Sequence, residues 1–269
     1  MVFDHGRARV EADEATARTP LGTGDATRRT GVCGWRPISG LGQLQEPVST
    51  PCWPFMGALC ALMKEPSTRR GTETKNQIVA SAAALIHERG VSATSVDDVL
   101  AASGTGKSQF YHYFQTKDDL VRDVLRYNLE TTLRAQEPYL ERLSTWKGIK
   151  GWLDAIAVLH ERQGLFGGCR IGSLAVEMVE RDEELRLALA AAFSQWESFL
   201  SAGLGAMRAR GALRADADPA VLAETTMAAI QGGYVLSTTK KDIRPMRNSL
   251  DAAYSHLRSF RAVRSRPKI

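Results

Sequence analysis

Apolar positions along this chain fall into two regimes. From about Thr74 onward they recur at three- and four-residue intervals, the period of helices that bury one face, and no stretch alternates as a half-buried strand does. Ile78, Val79, Ala82, Leu85 and Ile86 form one stripe, predicting a helix from about Thr74 to Arg89 that Gly90 ends in a left-handed conformation. Thr94 with Asp97 three residues on reads as the cap of a short second helix, buried through Val96, Val99 and Leu100. Ser103-Gly104-Thr105-Gly106 breaks that helix, and Lys107 to Phe114 predicts a third, rich in aromatics. Thr116 with Asp119 caps a fourth, which carries Leu120, Val124, Leu125 and Leu129. Further helices are predicted at about 146–162, 171–180, 183–210, 218–238 and 242–263. Gly-rich or polar joints at Gly164 to Gly168, Gly211 to Asp218 and Thr238 to Asp242 separate them.

Residues 1–73 have no such period. Stretches such as Thr19-Pro-Leu-Gly-Thr-Gly and Glu46-Pro-Val-Ser-Thr-Pro-Cys-Trp-Pro offer too little apolar surface to offset the entropy of ordering, so a disordered or weakly ordered extension is expected there. Over the whole chain, 43% hydrophobic and 24% charged residues are ordinary globular usage, which excludes wholesale disorder and a fibrous repeat. The net charge of +5 resides mainly beyond residue 128, and Arg258, Arg261, Arg264, Arg266 and Lys268 crowd the last twelve residues without an acid. Global charge is thus a weak pointer to nucleic acid.

Cys33, Cys52, Cys60 and Cys169 lack the spacing of a metal site or a disulfide framework, and no cofactor motif accompanies them. The longest apolar run, Cys52 to Met63, is about half a membrane span and holds Pro54. A cytoplasmic protein without a membrane segment, a metal or a cofactor is expected.

Helix, short helix, Gly-containing turn and helix within about forty residues is the layout of a helix-turn-helix DNA reader. The third helix presents Lys107, Ser108, Gln109, Tyr111 and His112 around Phe110, and amine, hydroxyl, amide and phenol groups suit phosphates and base edges. Tyr113 and Phe114 are expected to anchor the core. The segment Ser103-Gly-Thr-Gly-Lys-Ser-Gln-Phe-Tyr-His-Tyr-Phe-Gln-Thr-Lys-Asp-Asp-Leu resembles the recognition-helix signature of TetR-family transcriptional regulators. Ile78-Val-Ala-Ser-Ala-Ala-Ala-Leu-Ile and Thr94-Ser-Val-Asp-Asp-Val-Leu are similar to that family's first two helices.

The resemblance implies an all-α homodimeric repressor. Its N-terminal three-helix helix-turn-helix domain, residues 74–120, would hold a double-stranded operator. Its C-terminal helical domain, residues 121–263, would bind a small-molecule effector and the partner subunit, with a basic tail at 264–269. By position, Thr94, Ser95, Thr105, Lys107, Ser108, Gln109, Tyr111, His112 and Lys117 are the implied DNA-binding residues. Lys107, Tyr111 and Lys117 would meet phosphates, and Ser108 and Gln109 would read bases. Gly106 departs from the Ser or Thr often found there, which leaves Thr105 or Ser108 to supply the cap.

In the C-terminal part, Trp152, Phe166, Cys169, Met178, Phe193 and Trp196 are the residues expected to line an effector site, although Leu189, Phe193, Trp196 and Leu200 also have ordinary core spacing. Cys169 beside Arg170 reads either as a thiol sensor with a lowered pKa or as a buried inert thiol. The last two helices, through residues such as Val221, Thr225, Ala228, Val235, Met246 and Leu250, are expected to pair with those of the partner. Two other classes compete: an enzyme with Cys169 as nucleophile and His160 or His87 as base, which lacks a third orienting group, and a helical scaffold that only dimerises. Residues 1–62 are expected to be dispensable, since Met63 begins a short polar lead-in resembling those of TetR-type proteins.

Overall fold

Nine α-helices make up the regular structure of the described residues, Pro66 and 68–262, in the computed structural model. Cys33, Cys52, Cys60, the 1–65 part of the expected extension and the tail at 264–269 lie outside them. In chain order the helices are α1 (Arg69–Arg89), α2 (Val96–Ser103), α3 (Lys107–Tyr113), α4 (Lys117–Leu140), α5 (Trp146–Arg162), α6 (Arg170–Met178), α7 (Glu183–Ala209), α8 (Pro219–Lys240) and α9 (Arg244–Ser259). The class is all-α, as the periodicity indicates. No helix among the described residues is long and apolar enough to cross a membrane.

Two helix starts differ from the sequence expectation, each for a local reason. α1 begins at Arg69 and not near Thr74, because the Thr68 hydroxyl accepts the Gly71 N–H at 3.1 Å and Arg69 pairs with Glu73 one turn on. That first turn is polar and so invisible to an apolar period. α2 is capped by Ser95, not Thr94: Ser95 N–H donates to Asp98 Oδ2 at 2.8 Å and Asp98 N–H returns to Ser95 Oγ at 3.1 Å. Thr94 is buried, and its hydroxyl donates to Gly90 O at 2.8 Å.

α4 is the spine of the molecule, packing on α1 at one end and on α5, α6 and α7 along its length, while α8 lies between α7 and α9. One hydrophobic cluster runs from Ile78 on α1 to Leu257 on α9. At its centre the indole N–H groups of Trp152 on α5 and Trp196 on α7 both donate to Gln136 Oε1 on α4, at 2.7 and 3.1 Å. One carboxamide oxygen thus joins three helices, and both indoles, expected as effector lining, are fully buried with their polar ends satisfied. Their geometry is that of core.

An ion pair also sits in this core. Lys75 Nζ on α1 lies 3.0 Å from Asp123 Oδ2 on α4, with the side chains only 4% and 1% exposed. Arg126 adjoins the same carboxylate at 3.5 Å, and the Lys75 ammonium stands over the Phe114 ring, 6.0 Å from its centre. Two desolvated charges contribute little net stability as a pair, but each is costly alone. Asp123→Ala is therefore expected to lower unfolding free energy in urea by about 3–5 kcal/mol, and the Lys75→Met, Asp123→Leu double variant to recover most of it. A single-variant loss below about 1 kcal/mol, the range of exposed pairs, contradicts this.

Candidate nucleic-acid interface

α2, the turn after it and α3 form a unit whose geometry is set by short-range chemistry. Gly104 ends α2 at φ 64°, ψ 26°, left-handed backbone that costs a glycine nothing, and Thr105 N–H closes back on Leu100 O at 3.2 Å. Gln77 on α1 donates to Ser103 O at 2.8 Å, tying the turn to the first helix. The cap of α3 comes from neither Thr105 nor Ser108. Thr105 is engaged with the Ser103 hydroxyl at 2.7 Å, and Gln109 Oε1 reaches back to accept the Gly106 N–H at 3.1 Å. Gly106 itself has no side chain to cap with, so this half of a capping box is all the helix start has.

With seven residues, α3 is held by its neighbours and not by its own hydrogen bonds. Phe110 and Phe114, one turn apart, are 0% and 1% exposed with ring centres 5.3 Å apart, and they pin one side of the helix into the core. The period then leaves Lys107, Ser108, Gln109, Tyr111 and His112 on the outside, and all five are exposed. Tyr111 is 57% exposed, unusual for a large aromatic that has a core beside it. Tyr113 is half-buried and Phe114 buried, as core anchors should be.

Nearby acids are turned to structural use. Asp98 is locked into the α2 cap, and its hydrogen bonds from the Ser95 side chain and backbone hold its carboxyl below the usual range. Asp119 Oδ2 accepts from Gln115 and Thr116 N–H at 3.0 and 2.9 Å, and its other oxygen takes Arg122 at 2.9 Å. Asp97 pairs with Lys107 across solvent at 3.2 Å, a contact weak enough to exchange for another anion.

Lys117 opens α4 half-buried, with its ammonium donating to Val91 O. The same turn is gripped from the other half of the chain. Glu177, in the last turn of α6, accepts Val91 N–H at 2.7 Å and Ser92 N–H at 2.6 Å, one with each carboxylate oxygen, and Arg181 donates to the Ser92 hydroxyl at 2.9 Å. Partial burial works against the Glu177 charge, yet these donors outweigh it and lower its pKa. Nothing in the local sequence around Glu177 announces this contact, which spans 86 residues.

A second seam joins α1 to the α5–α6 loop. His87 packs so tightly on Gly167 that an added Cβ there would stand 2.2 Å from His87 Cε1. Phe166, which is 48% exposed, meets His87 edge-on at 6.2 Å and Lys241 from the other side at 5.5 Å. Burial, reinforced by the charge of Arg170, pushes His87 down to about 4, so it is neutral at pH 7.

Of the remaining sequence candidates, Met178 is buried and Phe193 is half-buried against the core. Cys169 is buried, with its sulfur accepting Gly172 N–H at 3.4 Å at the start of α6. Burial pushes this thiol up, the reverse of the lowered value that Arg170 suggests and a thiolate sensor or nucleophile needs. His160 bonds to Ser237 and Thr238, and no group of three or more metal-ligating side chains occurs among the described residues.

Comparison with known proteins agrees with this geometry. Residues 78–124 match the model for bacterial regulatory proteins of the tetR family, and residues 145–252 match that for the C-terminal domain of LmrA/YxaF-like transcriptional regulators. An HTH-type transcriptional regulator in the lacX 3' region of Lactococcus lactis subsp. lactis is 30% identical over 186 residues, which cover 66% of this chain and 90% of that protein. The HTH-type transcriptional repressor DhaR of Mycobacterium sp. strain GP1 is 25% identical, over 69% of this chain and 93% of its own. The crystal structure of a TetR transcriptional regulator from Chloroflexus aurantiacus J-10-FL superposes with a TM-score of 0.63 at 26% identity, covering 73% of this chain and all of that one. The chain belongs to the TetR family of helix-turn-helix transcriptional regulators, a family of regulators and not of enzymes.

Proposed function

We propose that this regulator is a repressor that sits on a two-fold operator as a homodimer, with α3 in the major groove, and leaves it when a small molecule binds among α4 to α8. The observation that carries the reading is the outward polar face of α3, set by the burial of Phe110 and Phe114. The name of DhaR, a repressor, supports the sign of regulation. Residues 74–120 and the polar first turn of α1 then serve DNA, and residues 121–263 serve effector and partner. Lys107 and Tyr111 meet phosphates, Ser108 and Gln109 read base edges, and His112 flanks them. Ser95 and Lys117 lie at helix starts suited to backbone phosphates. Thr94 and Thr105 support the motif from within, through Gly90 and Ser103.

The dimer reading rests on α8. Its inner side is buried through Leu222, Met227, Ile230 and Tyr234, yet Val221, Thr225, Ala228, Gly232, Val235 and Thr239 are all exposed at alternating four- and three-residue steps. A helix that is apolar or small on both sides wants cover on both, and this spacing is that of a helix–helix seam. Gly232 and Ala228 permit close approach to a second copy.

Release requires that the two halves be linked, and the Glu177 grip on the α1–α2 turn supplies a link. A shift of α6 moves the carboxylate, and with it the backbone on which α2 and α3 hang.

Three outcomes test this reading on operator DNA selected from random sequence. Lys107→Ala is expected to weaken all sequences alike and to cut the salt slope of binding by about one unit, whereas Gln109→Ala relaxes preference at one base position by ~1–3 kcal/mol. Equal loss of specificity from both contradicts the division of labour. Val235→Asp should give a monomer in sedimentation with helical content retained and operator binding lost, and a stable dimer would refute the α8 seam. Glu177→Ala should speed hydrogen exchange at Val91 and Ser92 and weaken operator binding, with Glu177→Gln intermediate. Because the folded pKa of Glu177 is depressed, its grip is present above the ordinary carboxylate value and is lost as pH falls through the folded one. Unchanged exchange in both variants removes it as the link.

A further inference from the structure

His160, near the end of α5, is completely buried, and its surroundings fix where its proton lies. Ser237 Oγ on α8 stands 2.6 Å from Gly233 O, and two oxygens that close need a hydrogen between them, so Ser237 donates there. At 2.9 Å from His160 Nε2 the same hydroxyl therefore accepts, and Nε2 carries the hydrogen. Burial, with the charge of Lys241, lowers the His160 pKa and keeps the ring neutral. Nδ1 is then a bare lone pair, buried and without a hydrogen-bond partner. Such an acceptor costs about 1–3 kcal/mol until something donates to it.

The register of α4 against α5 brings a second orphan to about the same height. Gln136 on α4 touches Trp152 on α5, and the short 141–145 turn makes the two helices antiparallel. Two turns back along α4 from Gln136 is Asn128, and two turns on along α5 from Trp152 is His160. Asn128 is 2% exposed, and its Oδ1 likewise has no partner. The turns on either side of these two groups are apolar: Val124, Leu125, Ile156 and Ala157 are all buried. Two unpartnered acceptors within an apolar bundle do not fit a structural role, which is served by a satisfied network or none.

We propose that His160 Nδ1 and Asn128 Oδ1 are the polar end of the effector site, and that the effector is an uncharged molecule presenting a hydroxyl to the ring and a second N–H or O–H to the amide. This inference rests on the effector-released reading above. A carboxylate would set lone pair against lone pair at both positions, and a cation would be opposed by the charge of Lys241. A hydroxyl donor satisfies Nδ1, and its carbon skeleton suits the aliphatic turns. The neutral phenol of Tyr234, edge-on to the imidazole at 4.8 Å, supplies an aromatic wall. The site adjoins the route to DNA: α5 runs directly into the loop that carries Phe166 and Gly167, whose tight seat is His87 on α1.

The test uses the full chain on its selected operator with three probes of one size: phenol, anisole, which cannot donate, and benzoate, which is charged. The ring nitrogens of His160 are followed by 15N NMR, and operator release by fluorescence anisotropy. Phenol is expected to shift the Nδ1 resonance toward a hydrogen-bonded value, leave Nε2 protonated, raise the melting temperature and release DNA. Anisole and benzoate should act at least tenfold more weakly. His160→Gln keeps a donor for Ser237 and removes the Nδ1 acceptor, and should abolish the phenol response while still folding. Should that variant unfold, the wild-type Nδ1 signal decides alone. Release of DNA with Nδ1 unmoved overturns the site and spares the effector reading, whereas a moved Nδ1 with DNA retained overturns the effector reading. An Nδ1 already hydrogen-bonded in the free protein and indifferent to phenol marks a buried water and overturns the proposal.

Discussion

A helix of seven residues does not persist by itself in water, and the surface proposed to meet DNA is such a helix. What holds α3 is the burial of Phe110 and Phe114 against α1 and the common core. Everything else about the interface follows from that anchoring. It sets the rotation of the helix, and therefore which five polar side chains face outward. It places the end of α3 against the buried Lys75 and Asp123 pair, since the Lys75 ammonium lies over Phe114. The ion pair in turn joins the first helix to the spine helix α4, so the helix-turn-helix part and the C-terminal helices meet at one desolvated junction.

That junction has company. Glu177 grips the α1–α2 turn from α6, Lys117 grips the same turn from α4, and His87 sits in the α5–α6 loop. Arg122 on α4 reaches Asp182 and Glu184 at the start of α7, each at 3.1 Å. Beside the hydrophobic core that runs through both halves, Glu177 and the Lys75–Asp123 pair thus give their junction polar, directional contacts. Polar contacts between packed bodies have discrete arrangements, which suits the proposed alternation between holding DNA and releasing it.

Much of this was legible in the sequence because it is local. The apolar stripe of α1, the glycine break after α2, the Thr116 and Asp119 cap and the aromatic-rich α3 each depend on residues within one or two turns, whereas Gly90, expected to be left-handed, ends α1 at φ 83°, ψ 166°. Even the near misses were local: Ser95 in place of Thr94 is a shift by one position between two residues that both cap well. What escaped involves contacts that close only in the fold. The spacing of Trp152 and Trp196 does not reveal that Gln136 stands between them and takes both indole N–H groups. Arg170 suggests a reactive Cys169 until burial reverses the sign. Glu177 and Asn128 give no signal, and His160 only a misleading one as a base for Cys169, since a polar residue on a helix is ordinarily solvated. Only burial without a partner, or a partner 86 residues away, marks them.

The central claim is that the outer face of α3, held by two phenylalanines, is what touches DNA. A photo-crosslinking residue placed at Tyr111, and in a separate protein at Val176, which is 84% exposed on α6, tests it directly on selected operator fragments. The account expects crosslinks from position 111 at two sites about one turn of DNA apart, ~34 Å, and none from position 176. Crosslinks from 176 with none from 111, or from both alike, would contradict it.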